Sequence, residues 1–290
     1  GDCVRTGMAT STVGVAERAA RACRQGSGCE RKRAATQADR RGTRRQVEQL
    51  SGKCIDVEFK DRTALITGAA GSLGRFVANV FAERGADLVL VGRDEHTLEK
   101  VFEPYKQRHL LAPTDLLDQA QVDATVRKAL DRFKRIDVLV NLAGGFRMGE
   151  PVHATSDANW DFLLDINVRT LMRAVHSVVP HMLEQGGGKI VNVGAYSAQK
   201  GVAQMSAYVA AKSAVIRLTE SMAAELRDKN INVNCVLPTI IDTPENRTAM
   251  PKADPSRWVA PRDLANVIAF LASDAARAIH GAAVPVTGLS

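Results

Sequence analysis

Tyr208 and Lys212 stand four residues apart in Ser206-Ala-Tyr-Val-Ala-Ala-Lys212, a spacing that puts both side chains on one face of a helix. A phenol has a pKa of about 10, and a neighbouring ammonium favours its ionised form. The pair is therefore expected to act as a proton shuttle at a single reacting centre. Alone, Tyr-x-x-x-Lys is also the pattern of a solvated helix face, so its meaning depends on the rest of the chain. Far upstream, Gly68, Gly71 and Gly74 recur every third residue in Thr67-Gly-Ala-Ala-Gly-Ser-Leu-Gly74. Glycines at such a turn let the backbone approach a pyrophosphate, and a following helix offers unpaired N–H groups and a favourable dipole. Together the two motifs imply a reductase that uses a nicotinamide dinucleotide.

The elements needed to position these groups are legible. The apolar run Thr63-Ala-Leu-Ile-Thr67 reads as a strand, and residues 73–84 carry Phe76, Val77, Val80 and Phe81 at helical spacing. Further strands are expected at 88–91, 109–112, 138–142, 189–193, 231–237 and 283–286. Helices are expected at 95–105, 119–133 and 262–271, with two long helical stretches flanking 189–193. This alternation predicts an α/β fold, a single doubly wound parallel sheet of the Rossmann type with helices on both faces. Its ligands belong at the carboxyl ends of the strands.

Of 290 residues, 45% are hydrophobic and 24% charged, a globular composition. The net charge of +7 is not spread over the chain. Residues 1–54 hold twelve of the 39 Lys/Arg and five of the 32 Asp/Glu, leaving 27 of each sign beyond them. No basic stripe is left to suggest a nucleic-acid partner. The chain therefore divides into a basic extension, 1–54, expected to be disordered, and a catalytic domain, 55–290. An overlong gene start is the alternative account of the extension. Cys3, Cys23, Cys29 and Cys54 fall in the extension without an accompanying histidine, and only Cys235 lies in the domain. Neither a metal site nor a disulfide framework is expected, and the setting is read as cytoplasmic. No apolar run approaches the length of a membrane span.

Residues 57–290 resemble the short-chain dehydrogenase/reductase family. The resemblance is carried by the Gly-rich turn, Asn141-Leu-Ala-Gly144, Asn167 in Asp165-Ile-Asn-Val168, the Tyr208/Lys212 pair, Pro238 and Thr243. It implies that Tyr208 donates the proton, that Lys212 binds the nicotinamide ribose and supports the tyrosine, and that Asn167 holds a relay water. It further assigns coenzyme contacts to Gly68, Gly71, Ser72, Leu73 and Gly74. Asp115 and Leu116 follow the third strand in the same role, and Asn141, Ala143 and Gly144 the fourth. Tyr208, Lys212, Pro238 and Thr243 complete the set, and a homotetramer or homodimer acting on a small molecule is implied.

The departures from the family pattern are informative. Thirteen residues before Tyr208, where the family places a serine that holds the substrate carbonyl, stands Ala195. Ser197 is the alternative donor. Gly194-Ala195, the run Ala143 to Phe146, and the segment 237–258 resemble dihydropteridine reductase-like members. That resemblance brings Ala195, Phe146, Asn246 and Arg247 forward as substrate residues, the competing reading being that Asn246, Arg247 and Trp258 only fix their loop. An electron-poor, conjugated imine or quinonoid acceptor can take hydride without a hydroxyl polarising it, whereas an ordinary carbonyl depends on such a donor.

Strand two ends Leu90-Val-Gly-Arg-Asp94, with Gly92 where an NAD enzyme commonly offers an acid and Arg93 next to it. A guanidinium suits a 2′-phosphate, so NADP(H) is expected over NAD(H). The competing reading makes Arg93 a solvated turn residue and Asp94 a helix cap. The function read from the sequence is an NAD(P)H-dependent oxidoreductase that transfers hydride to a carbonyl or to a conjugated imine or quinonoid small molecule, with Tyr208 as proton donor. The alternative is a catalytically weakened NADP(H)-binding regulator or scaffold.

Overall fold

The computed structural model describes residues 58–103 and 108–290. The extension expected to be disordered, 1–54, lies outside the described residues. Seven parallel strands form one sheet in the order β3-β2-β1-β4-β5-β6-β7. They are β1 Thr63–Thr67, β2 Asp87–Gly92, β3 Leu110–Pro113, β4 Val138–Asn141, β5 Gly188–Val193, β6 Ile231–Pro238 and β7 Ala283–Val286. The helices are α1 Gly74–Glu83, α2 Glu95–Phe102, α3 Gln119–Phe133, α4 Asp157–Leu164, α5 Thr170–Glu184, α6 Ser206–Leu226, α7 Pro244–Ala249 and α8 Pro261–Leu271. The expected doubly wound sheet is thus the observed one. The helix expected to run to residue 105 is described to Phe102, and strand three is displaced by one residue from its expected bounds.

Central strands covered on both faces are mostly apolar, and all five residues of β1 and all four of β4 are buried, with Thr63, Thr67 and Asn141 the polar exceptions at their ends. Alternation sorts their side chains into two cores. Leu65 and Leu139 join Val178 and Val215 from α5 and α6 on one face. Ala64, Ile66 and Val140 join Val77, Phe81, Leu264 and Ile268 from α1 and α8 on the other. Fully burying side chains of this size contributes about 1.5–3 kcal/mol each. The helices between strands are closed by local chemistry. Asp118 caps α3 by accepting from the N–H groups of Ala120 and Gln121, and Lys134 ends that helix in the left-handed region at φ 67°.

The strand order reverses between β1 and β4, so the chain leaves these neighbours toward opposite faces and opens a crevice at their carboxyl ends. One local feature escaped the periodicity. Between α4 and α5 the residues Asp165–Arg169 form a π-helical turn, which re-aims Asn167 within an otherwise continuous helical run.

Candidate active site

The first half of the site is a cleft of about 480 Å³ over the carboxyl ends of β1 to β4. Gly68 leaves β1 at φ 66°, and a Cβ there would come within 2.9 Å of the Ala143 backbone nitrogen. A Cβ on Gly74 would lie 2.3 Å from the Gly68 carbonyl oxygen and 2.4 Å from that of Ala69. These two positions accept no side chain, which brings the turn against β4 and the start of α1 against the turn. Gly71, Ser72, Leu73, Ala143 and Gly144 also line the cleft. Helix α1 has no acidic residue in its first turn and no side-chain cap, so its own residues supply no counter-charge to the positive end that faces the turn. Thr67 pins the opposite wall, its hydroxyl accepting from the N–H groups of Leu142 at 3.1 Å and Ala143 at 3.2 Å. The glycine cradle and open helix end fit the pyrophosphate of a dinucleotide.

At the end of β2, Arg93 is exposed on the cleft wall, and among the described residues its guanidinium has no hydrogen-bond or ion-pair partner. Asp94 is the N-cap of α2 and accepts from Thr97, which commits its carboxylate to the helix. A Cβ at Gly92 would lie 3.2 Å from Leu98 Cδ2, so an acidic side chain there would require Leu98 to give way. Asp115 and Leu116 line the far wall, and Asp115 accepts from the Leu117 N–H at 2.9 Å.

Helix α6 supplies the reacting groups, as the four-residue spacing predicts. The Tyr208 hydroxyl has no hydrogen-bond partner among the described residues, and the Phe146 ring meets the Tyr208 ring edge-on with centroids 4.8 Å apart. Burial pushes the phenol up to about 12. The ammonium expected to lower it does not set its acidity here, because Lys212 Nζ donates to the Val193 carbonyl at 2.8 Å. Lys212 is 6% exposed, and desolvation lowers it to about 8 against a smaller raising influence from Cys235. Burial pushes the Cys235 thiol itself up to about 11. Gly144 joins the two halves: it lines the cleft, and a Cβ on it would stand 3.3 Å from Lys212 Nζ and 2.9 Å from Asn167 Oδ1.

The buried Asn167 amide accepts from the Gly145 N–H at 3.2 Å and donates to the carbonyls of Gly145 and Leu163 at 3.0 Å. One N–H is spent on the loop at Gly145 and the other on helix α4 at Leu163, so the amide nitrogen has none left for a relay water. Asn141 does not line the cleft. It donates to Asn192 Oδ1 at 2.9 Å and ties β4 to β5 within the sheet, its own Oδ1 being buried without a partner. Pro238 ends β6, and Thr243 caps α7 by accepting from the Asn246 N–H. Neither lines the cleft.

Ala195 is 5% exposed and belongs to the apolar cluster against which Tyr208 packs. Ser197 sits in the 3₁₀ turn Tyr196–Gln199, half-buried, with no hydrogen-bond partner among the described residues. The two loop residues expected at the substrate are engaged by their own loop. Asn246 Nδ2 donates to the Ile241 carbonyl at 2.8 Å, and Arg247 forms a forked pair with Asp242 at 2.6 and 2.8 Å. Trp258 is buried. These contacts favour the loop-fixing role over substrate contact. The sequence reading passed over Thr67 and Glu245, whose carboxylate accepts from the Ser72 hydroxyl across 173 residues.

Among the described residues no helix is long and apolar enough to cross a membrane, and no cluster of His, Cys, Asp and Glu is placed to hold a metal. The short chain dehydrogenase family model matches residues 62–254. The chain is 34% identical over 241 residues to a (2S)-[(R)-hydroxy(phenyl)methyl]succinyl-CoA dehydrogenase subunit of Thauera aromatica, covering 79% of this chain and 96% of that protein. It is 31% identical over 245 residues to a 3-oxoacyl-[acyl-carrier-protein] reductase of Thermotoga maritima, covering 80% and 98%. Among solved structures, a Burkholderia cenocepacia gluconate 5-dehydrogenase in complex with NADP and tartrate superposes with a TM-score of 0.75 at 29% identity. That superposition covers 80% of this chain and 96% of the other. A Mycobacterium avium carveol dehydrogenase in complex with NAD gives 0.73 at 29% identity, covering 79% and 97%.

Proposed function

Because this chain belongs to the short-chain dehydrogenase family, and is thereby a nicotinamide-dependent oxidoreductase, we propose that it reduces an electron-poor, conjugated small molecule with NADPH as the preferred coenzyme. The observation that carries this reading is the junction at Gly144, where the dinucleotide cleft meets Lys212 beside Tyr208 on one face of α6. The bound nicotinamide supplies the hydride. Tyr208 supplies the proton: its raised pKa keeps the phenol protonated through the neutral range, and its hydroxyl is not spent on a protein acceptor. Lys212 brings positive charge to the site and is anchored by Val193, which fixes its direction. Asn167 holds the Gly144–Gly145 segment in place through the π-helical turn.

Preference for NADP(H) rests on Arg93, exposed at the cleft with a free guanidinium, and on the capping of α2 by Asp94, which withdraws that carboxylate from a ribose. Preference for a conjugated imine or quinonoid acceptor, of the kind used by dihydropteridine reductase-like members, rests on Ala195. With no hydroxyl at that position, the substrate must be electrophilic without one. Exposed Phe146 standing against Tyr208 offers such a planar molecule an apolar wall. A homodimer or homotetramer in the cytoplasm belongs to the same reading, and the exposed Met172 and Leu183 on α5 support an assembled state.

The test is to follow NADPH oxidation with a quinonoid dihydropterin, a quinone, a reactive dicarbonyl and a simple ketone, and to repeat it with NADH. Turnover with the conjugated acceptors, faster with NADPH than with NADH, is expected. Tight coenzyme binding without turnover on any acceptor would instead establish the regulator or scaffold reading.

A further inference from the structure

We propose that Glu245 is an anionic latch that closes the segment between β6 and α8 onto the Gly-rich turn, and that a dinucleotide must displace its carboxylate in order to bind. The proposal rests on the reading of the cleft as the nicotinamide coenzyme site. Ser72 lines that cleft, and its hydroxyl donates to both carboxylate oxygens of Glu245, at 3.0 and 2.9 Å. The residues are 173 apart in sequence, so the contact joins the turn after β1 to the helix α7.

The remaining contacts of this segment lie elsewhere. At its base, Val259 N–H donates to the Ile240 carbonyl at 2.9 Å and Asp242 N–H to the Val259 carbonyl at 2.8 Å. Arg247 pairs with Asp242, and Asn246 bonds Ile241, so α7 is braced against its own loop. Glu245 alone among these residues bonds a residue that lines the coenzyme cleft.

The charge pattern explains why the carboxylate settles there. Helix α1 has no acidic residue in its first turn and no side-chain cap, and a negative group is favoured at such an end. Glu245 supplies it from a distant part of the chain. Its own backbone N–H, the Ser72 and Thr243 hydroxyls and the Arg75 charge hold its carboxyl below the usual range, so it is ionised at neutral pH. A pyrophosphate brings two further negative charges to the same helix end. The Ser72 hydroxyl has only one proton to donate, and the carboxylate and the phosphates repel one another. Coenzyme binding therefore works against the latch, and breaking it releases α7.

Titration of NADPH by its fluorescence, with wild type, Glu245→Gln, Glu245→Ala and Glu245→Asp at low and high salt, tests the proposal. Removing the charge should tighten NADPH binding by about three- to tenfold at low salt, with the gap narrowing at high salt, while the aspartate variant stays near wild type. In the coenzyme-free protein, hydrogen exchange of residues 243–250 should rise in Glu245→Ala, because the latch is gone. Unchanged or weaker binding in the glutamine and alanine variants, or unchanged exchange of that segment, overturns the latch. A wild-type protein that binds neither NADPH nor NADH would overturn the coenzyme reading itself.

Discussion

Replacing Lys212 by methionine removes a charge that the fold holds out of water, and the consequence is a change in the pH dependence of stability. Burial lowers Lys212 from 10.5 to about 8, while the unfolded chain keeps the ordinary value. Between those two values the unfolded state binds more protons than the native state, so the wild-type protein gains stability as pH rises through that window. At about 1.4 kcal/mol per unit, the retained ammonium costs roughly 3 kcal/mol at pH 7 and a little over 1 kcal/mol at pH 9.5. The methionine variant escapes this cost at every pH. It also leaves the Val193 carbonyl without its 2.8 Å donor, an offsetting loss of about 1–3 kcal/mol that does not titrate. The absolute difference at pH 7 is therefore small. The stability gap between variant and wild type should nevertheless move by about 2 kcal/mol in favour of wild type between pH 7 and 9.5. The Cys235 thiol is present in both chains and largely cancels. Urea unfolding of the coenzyme-free proteins across this range measures the gap directly. Parallel pH curves would refute the reasoning, since they would mean that the ammonium is as well solvated in the fold as in the unfolded chain.

Arg93→Ala should weaken NADPH by about ten- to a hundredfold in a fluorescence titration and leave NADH nearly unchanged, because only NADPH carries the extra phosphate. Equal weakening of both would make Arg93 a structural residue. Gly74→Ala places a methyl 2.3 Å from the Gly68 carbonyl oxygen. It should cost about 2–4 kcal/mol in urea unfolding and weaken both coenzymes; a neutral outcome would contradict the close approach of helix to turn. Ala195→Ser should raise turnover of simple ketones more than that of conjugated acceptors at saturating NADPH. A gain of equal size on both would show that the missing hydroxyl does not set the substrate class.

Sequence was most informative where local chemistry and burial agree. The bounds of α3 could be read because Asp118 caps one end and the apolar period stops at the other. Strands β1 and β4 could be read because strands covered on both faces have continuous apolar centres, here Ala64 to Ile66 and Val138 to Val140. The Gly-rich turn and the Tyr208/Lys212 pair were found for the same reason: their spacing is itself the geometry. What stayed hidden depends on partners far away in the chain. Glu245 reads as an ordinary first-turn acid until α7 is placed against Ser72. Asn141 sits in a motif beside the cleft, yet its side chain turns into the sheet toward Asn192. The π-helical turn at Asn167 leaves the hydrophobic period undisturbed, so nothing in the pattern marks it. The acidity of Tyr208 is not legible in the sequence, because spacing shows a neighbouring ammonium but shows neither how deeply the phenol is buried nor that Lys212 donates to Val193.

The central claim is that Tyr208 gives the proton beside a cleft that binds the coenzyme without help from the Tyr208 hydroxyl. Steady-state turnover and NADPH affinity measured together on Tyr208→Phe test it most directly, because phenylalanine keeps the ring that packs against Phe146 and deletes only the hydroxyl. The account predicts that kcat falls by about 10²- to 10⁴-fold while the dissociation constant for NADPH stays within a factor of about two. Turnover close to wild type in this variant would contradict the assignment, whatever its coenzyme affinity.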